Sequence, residues 1–317
     1  MKVIDIITNS NKPLFTFEIL PPLKGHDIQS LYENIERLIE FNPAYINITY
    51  HQREAVFKQR EDGLLEKKIV CKRPGTVALS TAIQYKFQIP VVTHIICGGF
   101  TQAEIEDVLI DLNFLGINNI LALRGDPPKS ERIFVPEKDG HAHTSELIEQ
   151  IVNLNHGKYL DQELENKAAT DFCIGVAGYP EKHFESPNII TDIKYLKLKV
   201  EKGAKYIVTQ MFFDNKKFFD FVELCRNEGI TVPIIPGIKP ISILNDVKLI
   251  PQLFHIDIPD ELISEINKCK NNIEAKQVGI EWTINQSKEL IKSGISGIHY
   301  YTYGHSDNIK QIVENVF

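Results

Sequence analysis

Several things are scarce or absent in this 317-residue chain, and each absence excludes a class of protein. Its five cysteines, Cys71, Cys97, Cys173, Cys225 and Cys269, are odd in number, widely spaced and form no CxxC pair. Neither a disulfide framework nor a thiolate zinc site is indicated. No apolar run approaches the ~20 residues that cross a bilayer as a helix. The opening residues, Met1-Lys2-Val3-Ile4-Asp5, bring an early acid and no apolar core, unlike a secretory signal. A reducing cytoplasm is the expected location. There is no long basic block, and a net charge of -7 argues against nucleic acid or an anionic membrane as partner. Without a GxSxG elbow, and with isolated cysteines, nucleophilic triad chemistry is excluded. No GxGxxG follows the first strand pattern, which weakens a dinucleotide-binding open sheet. No Pro/Gly/Ser-rich linker divides the chain.

What is present is an ordinary globular composition, 43% hydrophobic and 24% charged, arranged in alternating strand and helix patterns. Strands are expected at Leu14 to Leu20, Ala44 to Tyr50, Pro90 to Cys97, Ile120 onward, Phe172 to Tyr179, Lys205 to Met211, Pro233 to Pro236 and Ser296 to Tyr301. Helical spacing of apolar residues falls between them, at Ile28 to Ile39, Val77 to Tyr85, Ile105 to Leu112, Ser145 to Leu154, Ile189 to Val200 and Phe218 to Cys225. Further helical patterns cover about Ile241 to Ile250, Pro259 to Lys268, Ile273 to Lys292 and Asn308 to Val316. Thr101-Gln-Ala-Glu104 is a capping box, and Gly116 ends the helix it starts. Gln52 to Lys72 is charged and poorly patterned, predicting an exposed loop or helix, and Lys129 to His143 reads as a long loop. About eight βα alternations predict parallel strands with crossover helices, closed as one (β/α)8 TIM-type barrel over residues 1–317. An open doubly wound sheet is the alternative.

The most informative stretch is Ile120 to Pro128. An apolar strand ends in Arg124-Gly125-Asp126, and two prolines then forbid continuation. At the carboxyl ends of barrel strands such residues read as functional. The strand ends would also deliver Glu18, Thr49, Tyr50, His94, Tyr179, Gln210 and Tyr303 to the same mouth. Glu18, beside Phe17 and Pro21-Pro22, is a candidate proton donor. His141-x-His143 has no carboxylate or thiolate at metal-site spacing, so no metal is assigned.

Taken together, eight strand-end pieces resemble the methylenetetrahydrofolate reductase family. They are Phe17-Glu18-Ile-Leu-Pro21-Pro22, Asn47-Ile-Thr49-Tyr50, His94-Ile-Ile-Cys97, Leu123-Arg124-Gly125-Asp126-Pro127-Pro128, Ala177-Gly-Tyr179-Pro180-Glu181-Lys-His183, Thr209-Gln210-Met-Phe-Phe213-Asp214, Pro236-Gly237-Ile238-Lys-Pro240 and His299-Tyr-Tyr-Thr302. The resemblance implies an FAD-binding (β/α)8 barrel of the short bacterial form, without a C-terminal regulatory domain. It would be reduced by NADH or NADPH and would pass hydride to 5,10-methylenetetrahydrofolate, giving 5-methyltetrahydrofolate for methionine synthesis. The two small molecules would take turns at one site, and a homo-oligomer is compatible with this reading.

Carried over residue by residue, the resemblance makes Glu18 the general acid and Asp126 the charge that tunes the flavin. Thr49, Tyr50, His94, Leu123, Arg124, Gly125, Asp126, His143, Thr144, Tyr179, His183, Asp192 and Lys199 would contact the cofactor. Glu18, Thr49, Asp126, Gln210, Asp246 and His305 would face the substrates. Two positions depart from the family pattern. Tyr301-Thr302-Tyr303-Gly304-His305 lacks the family's Arg after the eighth strand, and Asp246 stands where the family has a Gln. Both of those family residues help to hold folate.

Overall fold

The structure, a computed structural model, describes residues 1–127, 131, 133–304 and 306–317. Among them the chain runs α1 (Val3–Asn9), β1 (Leu14–Ile19), α2 (Gln29–Ile39), β2 (Ile46–Ile48), β3 (Glu54–Gln59), β4 (Leu65–Val70), α3 (Thr76–Phe87), β5 (Val91–Ile96), α4 (Gln102–Phe114), β6 (Asn119–Leu123) and α5 (Thr144–Asn155). It continues through β7 (Cys173–Gly178), α6 (Ile189–Glu201), β8 (Tyr206–Met211), α7 (Asn215–Asn227), β9 (Ile234–Ile238), α8 (Asp246–Phe254), α9 (Asp260–Lys268), α10 (Asn272–Lys292), β10 (Gly297–Tyr301) and α11 (Ser306–Val316). Strands β1, β2 and β5 to β10 close into a parallel barrel in the order β1-β10-β9-β8-β7-β6-β5-β2. The closed barrel, rather than the open sheet, is the architecture.

Strand alternation sorts the side chains. Outward-facing Phe15, Phe17, Ile46 and Ile48 join Leu31, Ile35 and Leu38 of α2 in the large core between barrel and helices. Each such side chain stabilises the fold by roughly 1.5–3 kcal/mol on burial. Inward-facing Tyr45, Val92, Leu121, Tyr206, Val208 and Ile235 fill the lower barrel. Two glycines make room inside the barrel, Gly175 in its lower part and Gly237 at the level of His299. A Cβ on Gly175 would stand 2.3 Å from the Tyr206 ring, and one on Gly237 would stand 2.2 Å from the Thr209 carbonyl oxygen.

α1 lies outside the elements expected from the sequence. Its Val3 and Ile7 pack onto the inward-facing residues of the lower barrel, and the Val3 N–H donates to Asn119 Oδ1 at 2.8 Å. Asn119 begins β6, so this helix stoppers the amino-terminal end of the barrel. Gln52 to Lys72, expected to be loop or helix, instead contains the antiparallel hairpin β3–β4, paired from Glu54↔Val70 to Gln59↔Leu65. The helix expected from Ile241 starts later, at Asp246. Asp246 Oδ2 accepts the Ser242 and Ile243 N–H groups at 2.7 and 3.2 Å, so residues 242–245 form its capping turn. The capping box at Thr101 and Glu104 forms as read. Described residues between 131 and 143 carry neither helix nor strand. No described helix is long and apolar enough to cross a membrane.

Candidate active site

The carboxyl ends of the strands converge on one mouth, floored by a buried polar layer. Glu18 points inward from β1 with its side chain 13% exposed. The Thr302 hydroxyl donates to the Glu18 carbonyl oxygen at 2.7 Å, tying the end of β10 to β1. Glu18 Oε2 lies 3.8 Å from His299 Nε2. That nitrogen is buried and has no hydrogen-bond partner of its own, while His299 Nδ1 is 2.9 Å from Thr16 Oγ1. Next to this pair, Asn47 Nδ2 is 3.3 Å from His94 Nε2. Burial pushes His94 down to about 4, against the opposing pull of Glu18. His94 therefore reaches the site as a neutral hydrogen-bonding ring and not as a cation for phosphate.

A second group stands where β6 and β7 end. Leu123 closes β6, and its carbonyl accepts the Cys97 N–H at 3.1 Å. Arg124 pairs with Glu185 and holds that carboxyl below the usual carboxylate range. Its guanidinium also lies 4.8 Å from the centroid of Phe134. Gly125 turns the chain at φ +85, a conformation that L side chains rarely adopt, leaving bare backbone at the strand end. Asp126 is exposed beyond it. From the β7 side, the rings of Tyr179 and His183 meet edge to face at 4.8 Å. Asp192 accepts from the His183 N–H at 3.0 Å and the Ser186 hydroxyl at 2.7 Å. Lys199, two helical turns on from Asp192, donates to the Ala177 carbonyl at 3.0 Å. Burial brings its ammonium down to about 8, opposed by Asp192.

The remaining candidates line the rim. Thr49 donates to the Ile19 carbonyl at 3.2 Å, and the Tyr50 and Phe100 rings meet at a tilt with centroids 5.2 Å apart. Burial raises the Tyr50 phenol above its ordinary range. Gln210 Oε1 accepts the following Met211 N–H at 2.9 Å. His143 and Thr144 start α5, where Glu146 accepts the His143 N–H at 3.2 Å. His141 is held by Gln150 at 2.6 Å. Asp246 sits at the β9 end as a cap. His305 lies outside the described residues, as do Pro128 and part of the loop beginning at Lys129.

Four contributors have no site role assigned from the sequence: Thr16, Asn47 and His299 in the floor, and Lys239 just after β9. The floor residues had a readable signal. They are polar residues recurring at inward positions of otherwise apolar strands.

The arrangement combines an inward carboxyl, a half-buried cation and exposed backbone at a glycine turn. That set can protonate a bound ligand and hold a phosphate-bearing one. A family model described as methylenetetrahydrofolate reductase matches residues 2–317. The methylenetetrahydrofolate reductase (NADH) 1 of Arabidopsis thaliana is 32% identical over 315 residues, which cover 95% of this chain and 48% of the plant protein. Methylenetetrahydrofolate reductase 2 of Saccharomyces cerevisiae is 32% identical over 298 residues, covering 92% of this chain and 45% of the yeast protein. The 5,10-methylenetetrahydrofolate reductase of Salmonella typhimurium is 28% identical over 294 residues, with 92% and 86% covered. The chain thus spans about half the length of the plant and yeast relatives. Among solved structures, an oxaloacetate acetylhydrolase superposes with TM-score 0.51 at 8% identity, covering 97% of this chain and 81% of its own, a likeness of fold alone. With a family match over nearly the whole sequence on a closed parallel barrel, the chain belongs to the methylenetetrahydrofolate reductase family.

Proposed function

We propose that this chain reduces 5,10-methylenetetrahydrofolate to 5-methyltetrahydrofolate at the expense of NADH or NADPH, by way of bound FAD, as a cytoplasmic enzyme supplying methyl groups for methionine synthesis. The observation that carries the reading is Glu18. It is a carboxyl held inward at the barrel mouth by its strand and by Thr302, in a chain of this family.

The residues fit a flavin. Lys199 is a half-buried cation whose Nζ, among the described residues, donates one hydrogen bond, to Ala177. Gly125 exposes backbone where a flat ring can approach, and Arg124, Tyr179, His183 and Asp192 surround that turn. Lys199 and Arg124 would hold the cofactor's phosphates and ribose. Thr49, Tyr50, His94, Leu123, Gly125, His143, Thr144 and Tyr179 would supply its remaining contacts. Bound FAD supplies a two-electron relay between the nicotinamide and the methylene carbon of the folate.

The chain's own residues do the rest. Glu18 donates a proton to N10 of the folate, which opens the five-membered ring and leaves the methylene carbon attached to N5 as the hydride acceptor. Asp126 provides a negative charge that tunes the electron affinity of the ring system. Gln210 contacts each substrate in its turn, and Thr49, Asp246 and His305 line the folate side.

The test is Glu18→Gln. Reduction of the bound flavin by NADH should be kept, and reoxidation by methylenetetrahydrofolate should fall by on the order of 10²-fold or more. Equal losses in both half-reactions would remove Glu18 from the proton-donor role.

A further inference from the structure

Beside the mouth, between the ends of β9 and β10, the structure holds a cavity of about 290 Å³ lined by Lys239, Ser242, Asp246, Thr302, Tyr303 and Asn308, among others. Lys239 directly follows β9, and its side chain is 11% exposed. An ammonium has three donors to satisfy. Among the described residues only the Pro240 carbonyl accepts from it, at 3.3 Å. Asp246 Oδ2 forms an ion pair with it at 3.6 Å, longer than a good hydrogen bond, and also accepts the Ser242 and Ile243 N–H groups, so it leaves part of the ammonium's donor capacity unused. The Tyr303 ring lies 5.6 Å from Nζ. Burial depresses the ammonium below the usual lysine range, with Asp246 opposing. A largely desolvated cation with unused donors gains more from an incoming anion than a hydrated one does.

The cavity adjoins the proposed proton donor. Its Thr302 is bonded to the Glu18 backbone, and its Tyr303 feels the charges of both Glu18 and Asp126. A ligand reacting at Glu18 can therefore extend toward Lys239. The volume is small, at the lower end of the roughly 300–1,000 Å³ of whole-ligand sites, so it suits one end of a ligand and not a dinucleotide. With Asp246 beside Lys239 the cavity carries no excess positive charge, so an anion is held through the unused ammonium donors, which suits one carboxylate better than a diphosphate.

Resting on the folate reading above, we propose that Lys239 receives a carboxylate of the folate's glutamate tail, so that this cavity selects the glutamate-bearing substrate. The two substrates that separate this from other roles are 5,10-methylenetetrahydrofolate and 5,10-methylenetetrahydropteroate, which keeps the ring system and lacks the glutamate. The full-length, FAD-loaded enzyme should favour the former in kcat/KM by about 10-fold or more, the size of one charge-assisted hydrogen bond. Lys239→Met should bring that ratio close to one, Lys239→Arg should keep most of it, and both should melt as cooperatively as the parent. Equal losses on the two substrates in Lys239→Met would overturn the proposal and leave folate reduction standing. A loss confined to reduction by NADH would overturn it too and assign the cation to the nucleotide. A parent enzyme that turns over neither pterin substrate would overturn the folate reading itself.

Discussion

His94 and Glu181 titrate over overlapping pH ranges and pull stability in opposite directions. His94, buried at the barrel floor, is pushed down to about 4. Between its ordinary 6.5 and that value the unfolded chain binds the extra proton, so stability present above pH 6.5 is lost as pH falls through this window. The loss amounts to up to about 3 kcal/mol. Glu181 is raised to about 7 by burial, with Asp257 donating its N–H at 3.0 Å and Lys217 at 3.7 Å opposing. Its folded form holds a proton that the unfolded chain releases, so its contribution is present below pH 4.5 and lost as pH rises toward 7. Urea midpoints at pH 7 and pH 5 should therefore drop more steeply on acidification in Glu181→Gln than in the parent, and less steeply in His94→Asn. Parallel slopes in all three proteins would contradict both assignments. At this scale the sequence singles out Glu18 because a carboxylate inside an apolar strand is conspicuous. Lys239 escapes because a lysine before a proline reads as loop, and only the closed barrel shows that it is buried.

At the scale of elements, punctuation was legible and exposed structure was not. Thr101-Gln-Ala-Glu104 and Gly116 bracket α4 because caps are local chemistry that needs no tertiary context. The β3–β4 hairpin escaped because its faces meet solvent. Phe57, Leu65 and Ile69 are all more than half exposed, so no buried side imposes alternation. Its turn nonetheless carries a signal, Asp62-Gly63, with Gly63 at φ +82 and Asp62 Oδ1 accepting the Leu64 N–H at 3.1 Å. Glycines test how each element is built. Gly175→Ala drives a Cβ into the buried Tyr206 ring and should cost about 1–3 kcal/mol or more. Gly116→Ala has open space but a φ of +69, and should cost only about 1–2 kcal/mol. Thermal melts of the two variants check the order, and a larger drop for Gly116→Ala would show that the interior relaxes around position 175.

For the molecule as a whole, eight strand-end pieces spread from Phe17 to Thr302 carried the architecture, because the closed barrel brings every strand's carboxyl end to one face. The opposite face was not legible. α1 is short, and its two core residues, Val3 and Ile7, join a cluster with residues of β1, β5, β6, β7, β8 and β9 that only the assembled barrel brings together. Stability and chemistry therefore sit at opposite ends. Ile7→Ala should lower unfolding stability by about 2–4 kcal/mol with kcat/KM unchanged below the melting transition. A kinetic defect in a still-folded Ile7→Ala would show that the stopper is coupled to the mouth.

The measurement to make first is the visible spectrum of the purified protein without oxygen, followed through addition of NADH and then of 5,10-methylenetetrahydrofolate. Flavin bands that bleach with the nucleotide and return with the folate are the predicted result. Bleaching without return would keep a flavin reductase and remove the folate, whereas no flavin spectrum even after adding FAD would contradict the reading of Lys199, Arg124 and Gly125 as a cofactor cradle.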